Sequence, residues 1–378
     1  MAAMQEYVQK AEAVAEEFLN KYDLNSAYDH DVVAEVLSAL AEKDLLRFGF
    51  SDSDVTGPQK GDMAKAYAVI STLAGKSGVL ANIYMVGGLL APLCVAYQGT
   101  KAQKADILTK VAEGKMQLAF ALTEPDAGSD AAAAKTTATP DGDGYVLNGE
   151  KVYITGAATA DIILAVAKTN PENPKSFGVF MIPKGTAGIT VEPLARMTGG
   201  EIHPSCHITL ENVHLAKTQV LGGEEALEKA WGTFRKTGML ERLVVSFMAT
   251  GLAKAMTERA SQFITERKQF GKPLKSFQSI QHTVVEMATL TKGMELFAEN
   301  ALHEQENNPN PTQAISMAKY FNAEQLQKVA AMAVRVMGGR AYFDFEPVSH
   351  YYREAPFSLF AGGTVEVQKM LIARSMGI

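Results

Sequence analysis

The feature that most constrains this chain is a change of periodicity partway along it. From about residue 118 to 225, β-branched and aromatic residues alternate with polar ones, as in TTATPDGDGYVLNGEKVYITGA (136–157). Alternation with period two marks half-buried strands, and the Asp-Gly and Asn-Gly pairs inside it are hairpin-turn signals. DIILAVAKT, SFGVFMIPK, GITVEPLA and CHITLENVHL supply further short strands. On either side the spacing is three and four, as amphipathic helices require. AVAEEFLNKY, HDVVAEVLSALAEKDLL and KADILTKVAEGK lie before the β region, and three long helical segments (226–268, 277–305 and 311–339) lie after it. The expected fold is therefore α+β, with a helical domain over 1–117, a β domain over 118–225 and a helical domain over 226–378.

A length of 378 residues exceeds one small core, which agrees with several domains. A formal charge of −6 argues against a surface that coats nucleic acid. Two cysteines, Cys94 and Cys206, give no disulfide framework and suit a reducing compartment. The start of the chain lacks a basic segment followed by an apolar run, so the cytoplasm is expected, with a mitochondrial matrix protein numbered without its transit peptide as the alternative. SGVLANIYMVGGLLAPLCVAY (77–97) approaches spanning length, but its Gly-Gly and Ala-Pro favour a buried helix pair over a membrane segment.

Several stretches combine residue types that bind or react. LTEPDAGSD (122–130) is a turn offering backbone N–H groups and hydroxyls. KVYITGA (151–157) places Tyr153 and Thr155 on one strand face, an aromatic beside a hydroxyl. ERKQFGKPL (266–274) closes a long helix with cations and Gly271. VRVMGGRAYF (334–343) puts two glycines after an apolar helix, yet it is no dinucleotide fingerprint, because no strand precedes it. Singly, each has an ordinary alternative as surface loop, half-buried strand or charged helix end.

Together, LTEPDAGSD, KVYITGA, ERKQFGKPL, FQSIQH, VMGGRAY and AGGTVEVQ stand in the order and approximate spacing of the acyl-CoA dehydrogenase family. The resemblance is firm from about residue 105 onward. It is loose before that, where GFSDSDVTG replaces the usual Pro-Glu-Glu-x-Gly-Gly stretch. It implies FAD as cofactor. Phe120, Leu122 and Thr123 would border the flavin, and Ser129 would contact flavin phosphate or the acyl-CoA. Tyr153 would lie against the isoalloxazine and Thr155 near its N5. Arg267, Phe270 and Gln278 would reach the dinucleotide across a dimer interface, with Gly338 and Gly339 near the ADP part. Thr364 and Glu366 would make the last flavin contacts. The implied reaction removes the proton α to a thioester and passes hydride from the β carbon to the flavin.

The same resemblance exposes a vacancy. Aligning Thr364 with the family's threonine puts Gly362 where a catalytic glutamate commonly stands. A subset similar to isovaleryl-CoA and long-chain acyl-CoA dehydrogenases carries its glutamate on an earlier helix, and GMLERLVVSFMATG (238–251) matches that helix. Glu241 then becomes the expected base, followed by Arg242, a residue expected near substrate. The backbone N–H of Gly362 survives as a donor for the thioester oxygen. Loss of the side chain at 362 is expected to open volume beside the α and β carbons.

AGGT also resembles crotonobetainyl-CoA reductase, which runs the reaction towards reduction. An enoyl-CoA reductase, an acyl-carrier-protein thioester dehydrogenase and a non-catalytic subunit of the same fold stay open as alternatives. The expected partners are an acyl-CoA, an electron-transfer flavoprotein and a second copy in a homodimer or homotetramer, with neither nucleic acid nor membrane. His203, Cys206, His207 and His214 are zinc-ligand types, but strand alternation sends Cys206 and His207 to opposite faces. DGDGYVLNGEK lacks a calcium ligand at Tyr145 and is expected to form a hairpin.

Overall fold

The structure, a computed structural model, describes residues 2–23, 29–48, 50, 62–170, 172–173, 176–194, 202–227 and 230–378. The divergent 48–60 stretch lies outside them, apart from Phe48 and Phe50.

Helices α1 (Ala2–Lys21), α2 (His30–Glu42), α3 (Asp62–Lys76), α4 (Gly78–Ile83), α5 (Ala91–Gln98) and α6 (Lys101–Ala112) come first. Asp29 caps α2, accepting from Asp31 N at 2.9 Å, and a Thr100–Gln103 capping box starts α6. Between α4 and α5 the backbone stays helical, through a π-helical stretch Tyr84–Leu90. The expected helix pair is thus one continuous segment, Gly78–Gln98, and the window of it that is apolar enough to cross a membrane is 89% buried. Gly87 and Gly88 widen the helix rather than break it. A Cβ on Gly88 would press on Leu46 and Tyr84.

Strands β1 (Leu118–Ala121), β2 (Thr137–Asp141), β3 (Gly144–Thr155), β4 (Ile162–Lys168), β5 (Phe177–Pro183), β6 (Ile189–Pro193) and β7 (Ser205–Ala216) follow. Among the described residues they form one sheet in the order β1-β4-β2-β3-β7-β6, with β5 also paired to β4. Asp141 pairs with Gly144 across the expected Asp-Gly hairpin. The expected Asn148-Gly149 turn is instead a bulge inside β3. Gly149 has φ +147° and lies against Thr136, while Asn148 Oδ1 accepts the N–H of Asn212 at 2.8 Å.

The last third holds α7 (Ala230–Glu266), the hairpin strands β8 (Lys268–Gln269) and β9 (Lys272–Pro273), α8 (Gln278–Asn307), α9 (Thr312–Met337), α10 (Pro347–Glu354), α11 (Phe357–Phe360) and α12 (Val365–Met376). The chain divides into two compact units. One comprises 17–66 and 82–240 and contains the seven-stranded sheet. Its cores are an alanine- and valine-rich cluster with Phe177 and Leu164, and a second one around Leu147, Ile154 and Phe180. The other comprises 1–16, 67–81 and 241–378 and is helical. There α3 and α7 approach closely, because a Cβ on Gly251 would collide with the carbonyl oxygen of Ser71. Tyr67 and Phe247 stack beside that crossing, with centroids 4.7 Å apart.

Candidate active site

In the sheet unit, the loop 122–136 is organised by one buried ion pair. Lys151, on β3, is fully buried and donates to Glu124 Oε1 at 2.7 Å and to the carbonyl of Leu122 at 3.1 Å. Glu124 also accepts the N–H groups of Lys135 and Thr136. Burial raises the Glu124 carboxyl, but Lys151 and the backbone donors outweigh it and hold it below the usual carboxylate range. Val152 N–H donates to Thr123 O at 3.0 Å, so Leu122 and Thr123 lie alongside the strand that carries Tyr153 and Thr155. The structure thereby brings together Leu122, Thr123, Tyr153 and Thr155, with Phe120 just before them on β1. Ser129 is exposed on the loop.

Register shifts between Lys151 and Ile154, where Tyr153 takes φ +60°. Simple alternation therefore fails. Lys151 is buried while Tyr153, two residues on, is 68% exposed. Beyond the bulge, Tyr153 and Thr155 do share the less buried side, with Ile154 buried between them. Thr155 Oγ1 lies 2.9 Å from Ser205 Oγ. Gly156 (φ +77°) turns the chain away from β3, and a Cβ there would sit 2.7 Å from His203 Nε2. His203 itself is buried, 2.9 Å from Asn82 Oδ1, and burial pushes it down to about 4, so it is neutral. Cys206 is buried and His207 pairs with Glu150, which is the alternation expected of this strand. Among the described residues no three His, Cys, Asp or Glu side chains converge as metal ligands.

The helical unit holds the second group. Glu241 is half-buried on α7, and the nearby backbone N–H of Gly362 favours its ionised form. Burial raises it above the ordinary carboxylate range, against the opposing pull of Arg242, the Gly362 N–H and Lys319. Arg242, expected at the substrate, gives its Nε–H to the carbonyl of Gly362 at 3.2 Å. Gly362 has φ +67°, and a Cβ there would lie 3.4 Å from the backbone N and Cα of Arg242. A side chain at 362 would therefore start over the Glu241–Arg242 turn.

Thr364 caps α12, accepting from Val367 N at 3.3 Å, and Glu366 is exposed in the first turn of that helix. Lys319 and Gln368 also donate into this turn, and sequence reasoning missed both. A lysine among Ile315, Ala318, Asn322 and Ala323 on the buried face of α9 was the available signal.

The remaining expected residues form two exposed sets in the same unit. Phe270 (φ +51°) and Gly271 (φ +76°) make the tight turn of the β8–β9 hairpin, which leaves the Phe270 ring 91% exposed, with Arg267 and Gln278 exposed nearby in sequence. Gly338 (φ +61°) and Gly339 have no neighbour within 4 Å of a Cβ position, so their backbone is open to approach. The segment after them is pinned by Glu346, which receives Arg259 at 2.8 Å and Arg340 at 2.7 Å.

Over residues 2–115, 119–213 and 229–377 the chain matches the N-terminal, middle and C-terminal domains of acyl-CoA dehydrogenase. It is similar to a 3-(aryl)acrylate reductase of Clostridium sporogenes, 34% identical over 82% of each chain. It is also similar to the CarC subunit of the caffeyl-CoA reductase-Etf complex of Acetobacterium woodii, 32% identical over 86% of each. Butyryl-CoA dehydrogenase from Megasphaera elsdenii superimposes with a TM-score of 0.91 at 26% identity, over 100% of this chain and 99% of that one. The chain belongs to the acyl-CoA dehydrogenase family. It is an oxidoreductase acting on the CH–CH bond of acyl-CoA thioesters, and its cofactor is FAD. The N-terminal match extends through the region where the sequence resemblance was loose.

The residues present fit that cofactor. In the sheet unit Tyr153 presents an exposed ring two residues from the Thr155 hydroxyl; in the helical unit Phe270 presents an exposed ring, Arg267 an exposed guanidinium, and Gly338–Gly339 a backbone open to approach.

Proposed function

We propose that this enzyme interconverts a saturated and a 2,3-unsaturated acyl-CoA with Glu241 as the group that holds and moves the α-proton, and that its working direction is reduction of the enoyl thioester. One observation supports the assignment above others: the Glu241–Arg242 turn of α7 lies against Gly362, with Arg242 Nε–H on the Gly362 carbonyl at 3.2 Å, where the more common catalytic position has no side chain. Burial raises the Glu241 carboxyl, which keeps more of it protonated near neutrality than an exposed glutamate would be. In the reducing direction the protonated carboxyl delivers its proton to the α carbon; in the oxidising direction the carboxylate removes it. Gly362 N–H is the donor for the thioester oxygen, where negative charge grows as the α carbon changes state. Bound FAD supplies the two-electron chemistry at the β carbon. Arg267, Phe270, Gln278, Gly338, Gly339 and Glu366 would hold its dinucleotide part, and Phe120, Leu122, Thr123, Tyr153 and Thr155 would border its ring.

The direction, and an aryl-substituted enoyl group as substrate class, are supported by the reductase names of the two relatives. An electron-transfer flavoprotein as redox partner is supported by the Etf complex to which one of them belongs. A homodimer is supported by the exposed aromatic residues of the helical unit: Phe270 at 91%, Tyr342 at 87%, and Phe343 and Phe345. The test is anaerobic titration of the reduced and the oxidised enzyme. Flavin reoxidation by aryl-enoyl-CoA, with weak bleaching by the saturated partner, is the expected result. Complete bleaching by a saturated acyl-CoA and no reoxidation by any enoyl-CoA would contradict the direction.

A further inference from the structure

Two consecutive glycines, Gly362 (φ +67°) and Gly363 (φ +92°), form the turn that carries the proposed oxyanion donor. Such a turn has no side chains of its own to hold it, and glycine is the most mobile residue when unconstrained. It is fixed from outside. Lys319 Nζ, from α9, donates to the carbonyls of Leu359 at 3.2 Å and Gly363 at 2.6 Å. Gln368 Nε2, from α12, reaches the carbonyls of Gly362 at 3.3 Å and Gly363 at 3.0 Å. Arg242, from α7, takes Gly362 O, while Gly363 N–H closes on Phe360 O. With those carbonyls held by donors from three helices, Gly362 is kept against the Glu241–Arg242 turn of α7.

We propose that Lys319 is a positioning residue of the reaction: its buried ammonium holds the 359–364 turn, and with it the Gly362 backbone, in place beside the turn of α7 that carries Glu241. This rests on Glu241 being the proton carrier. Lys319 is fully buried, and a buried cation is costly unless it is hydrogen-bonded and near opposite charge. A neutral side chain could fill the same place without that cost, so the charge calls for a purpose. The charged groups facing it are Glu241, Arg242 and Glu366, and those facing Glu241 are Arg242 and Lys319. Lys319 draws the Glu241 carboxyl down against the effect of burial, so its removal raises that group further.

The test compares FAD-loaded wild type with Lys319→Met, Lys319→Arg and Glu241→Gln. Amide hydrogen exchange is followed in the peptide covering 360–366, and flavin reduction by a saturated acyl-CoA is followed against pH. Lys319→Met is expected to speed exchange there about tenfold, the scale of one net hydrogen bond. It should also move the acid limb of the rate profile upward. Lys319→Arg, which keeps the charge, should leave the limb in place. Unchanged exchange, or an unmoved limb whatever the loss of thermal stability, would overturn the proposal and leave Lys319 a packing residue. Should Lys319→Met fail to fold, Gln368→Ala removes donors to the same turn, including one to the Gly363 carbonyl that Lys319 also holds, without unpairing a charge, and unchanged exchange in that variant would overturn the proposal equally. Full turnover by Glu241→Gln is a separate outcome, since it would remove the base assignment itself.

Discussion

Arg242 on α7 gives its Nε–H to the carbonyl of Gly362 at 3.2 Å, so the residue that lacks a side chain is tied to the immediate chain neighbour of Glu241, the residue proposed to supply the chemistry. A glutamate on α7 and a glutamate at 362 would compete for the same ground, since the side-chain space at 362 lies over Arg242.

The ionisation of Glu241 sets opposite pH dependences for the two directions. Burial raises this group in the folded protein. Reoxidation by enoyl-CoA needs the acid form, so its rate should fall as pH rises through the Glu241 value. Bleaching by a saturated acyl-CoA needs the carboxylate and should rise over the same range. Stopped-flow pH profiles in both directions check this; two profiles of the same sign would contradict it.

The Glu124–Lys151 pair should matter for stability and for shaping the 122–136 loop. Lys151→Met leaves a buried carboxylate without its cation, a change that costs about 3–5 kcal/mol. Thermal unfolding should show a correspondingly large loss, and adding Glu124→Gln should return part of it. The sign with pH follows from Glu124, whose folded value is lowered. Its contribution is present above the unfolded carboxylate value and disappears as pH falls through the folded one.

Gly156→Ala should damage the strand end that presents Thr155. The substitution places a methyl 2.7 Å from the buried His203 ring at a left-handed φ. A cost of about 1–3 kcal/mol is expected, with weakened FAD retention. Unchanged FAD content after gel filtration, together with an unchanged Tm, would contradict it.

Phe270→Asp tests the proposed subunit contact. Its ring is exposed and its backbone is already strained into a tight turn, so the monomer fold should tolerate the change. Sedimentation is expected to show a smaller species with less bound FAD. A variant with wild-type mass and full FAD would remove Phe270 from the interface.

Much of this was legible from local pattern. The strands, the long helices and the Asp-Gly hairpin follow from periodicity and turn chemistry, and the vacancy at 362 pointed to Glu241, the proposed base. What failed had a common cause. Asn-Gly suits both a tight hairpin turn and a bulge, and the choice in β3 was made by partners remote in sequence, Thr136 and Asn212. Gly87-Gly88 looks like a break, yet Leu46 and Tyr84 pack where the Gly88 side chain would be and the helix runs on. Lys319 was silent for a similar reason, because its purpose depends on carbonyls of a turn that only the fold brings to it.

The most direct measurement is single-turnover proton transfer in Glu241→Gln with its FAD content verified as wild type. Glutamine keeps the size and a side-chain oxygen, but it cannot carry the proton. Flavin reduction by acyl-CoA, and exchange of the α-proton with solvent deuterium, should both fall by about 10²–10⁴-fold. Wild-type rates of exchange and flavin reduction in that variant would show that the proton moves through another group and that Glu241 is not the base.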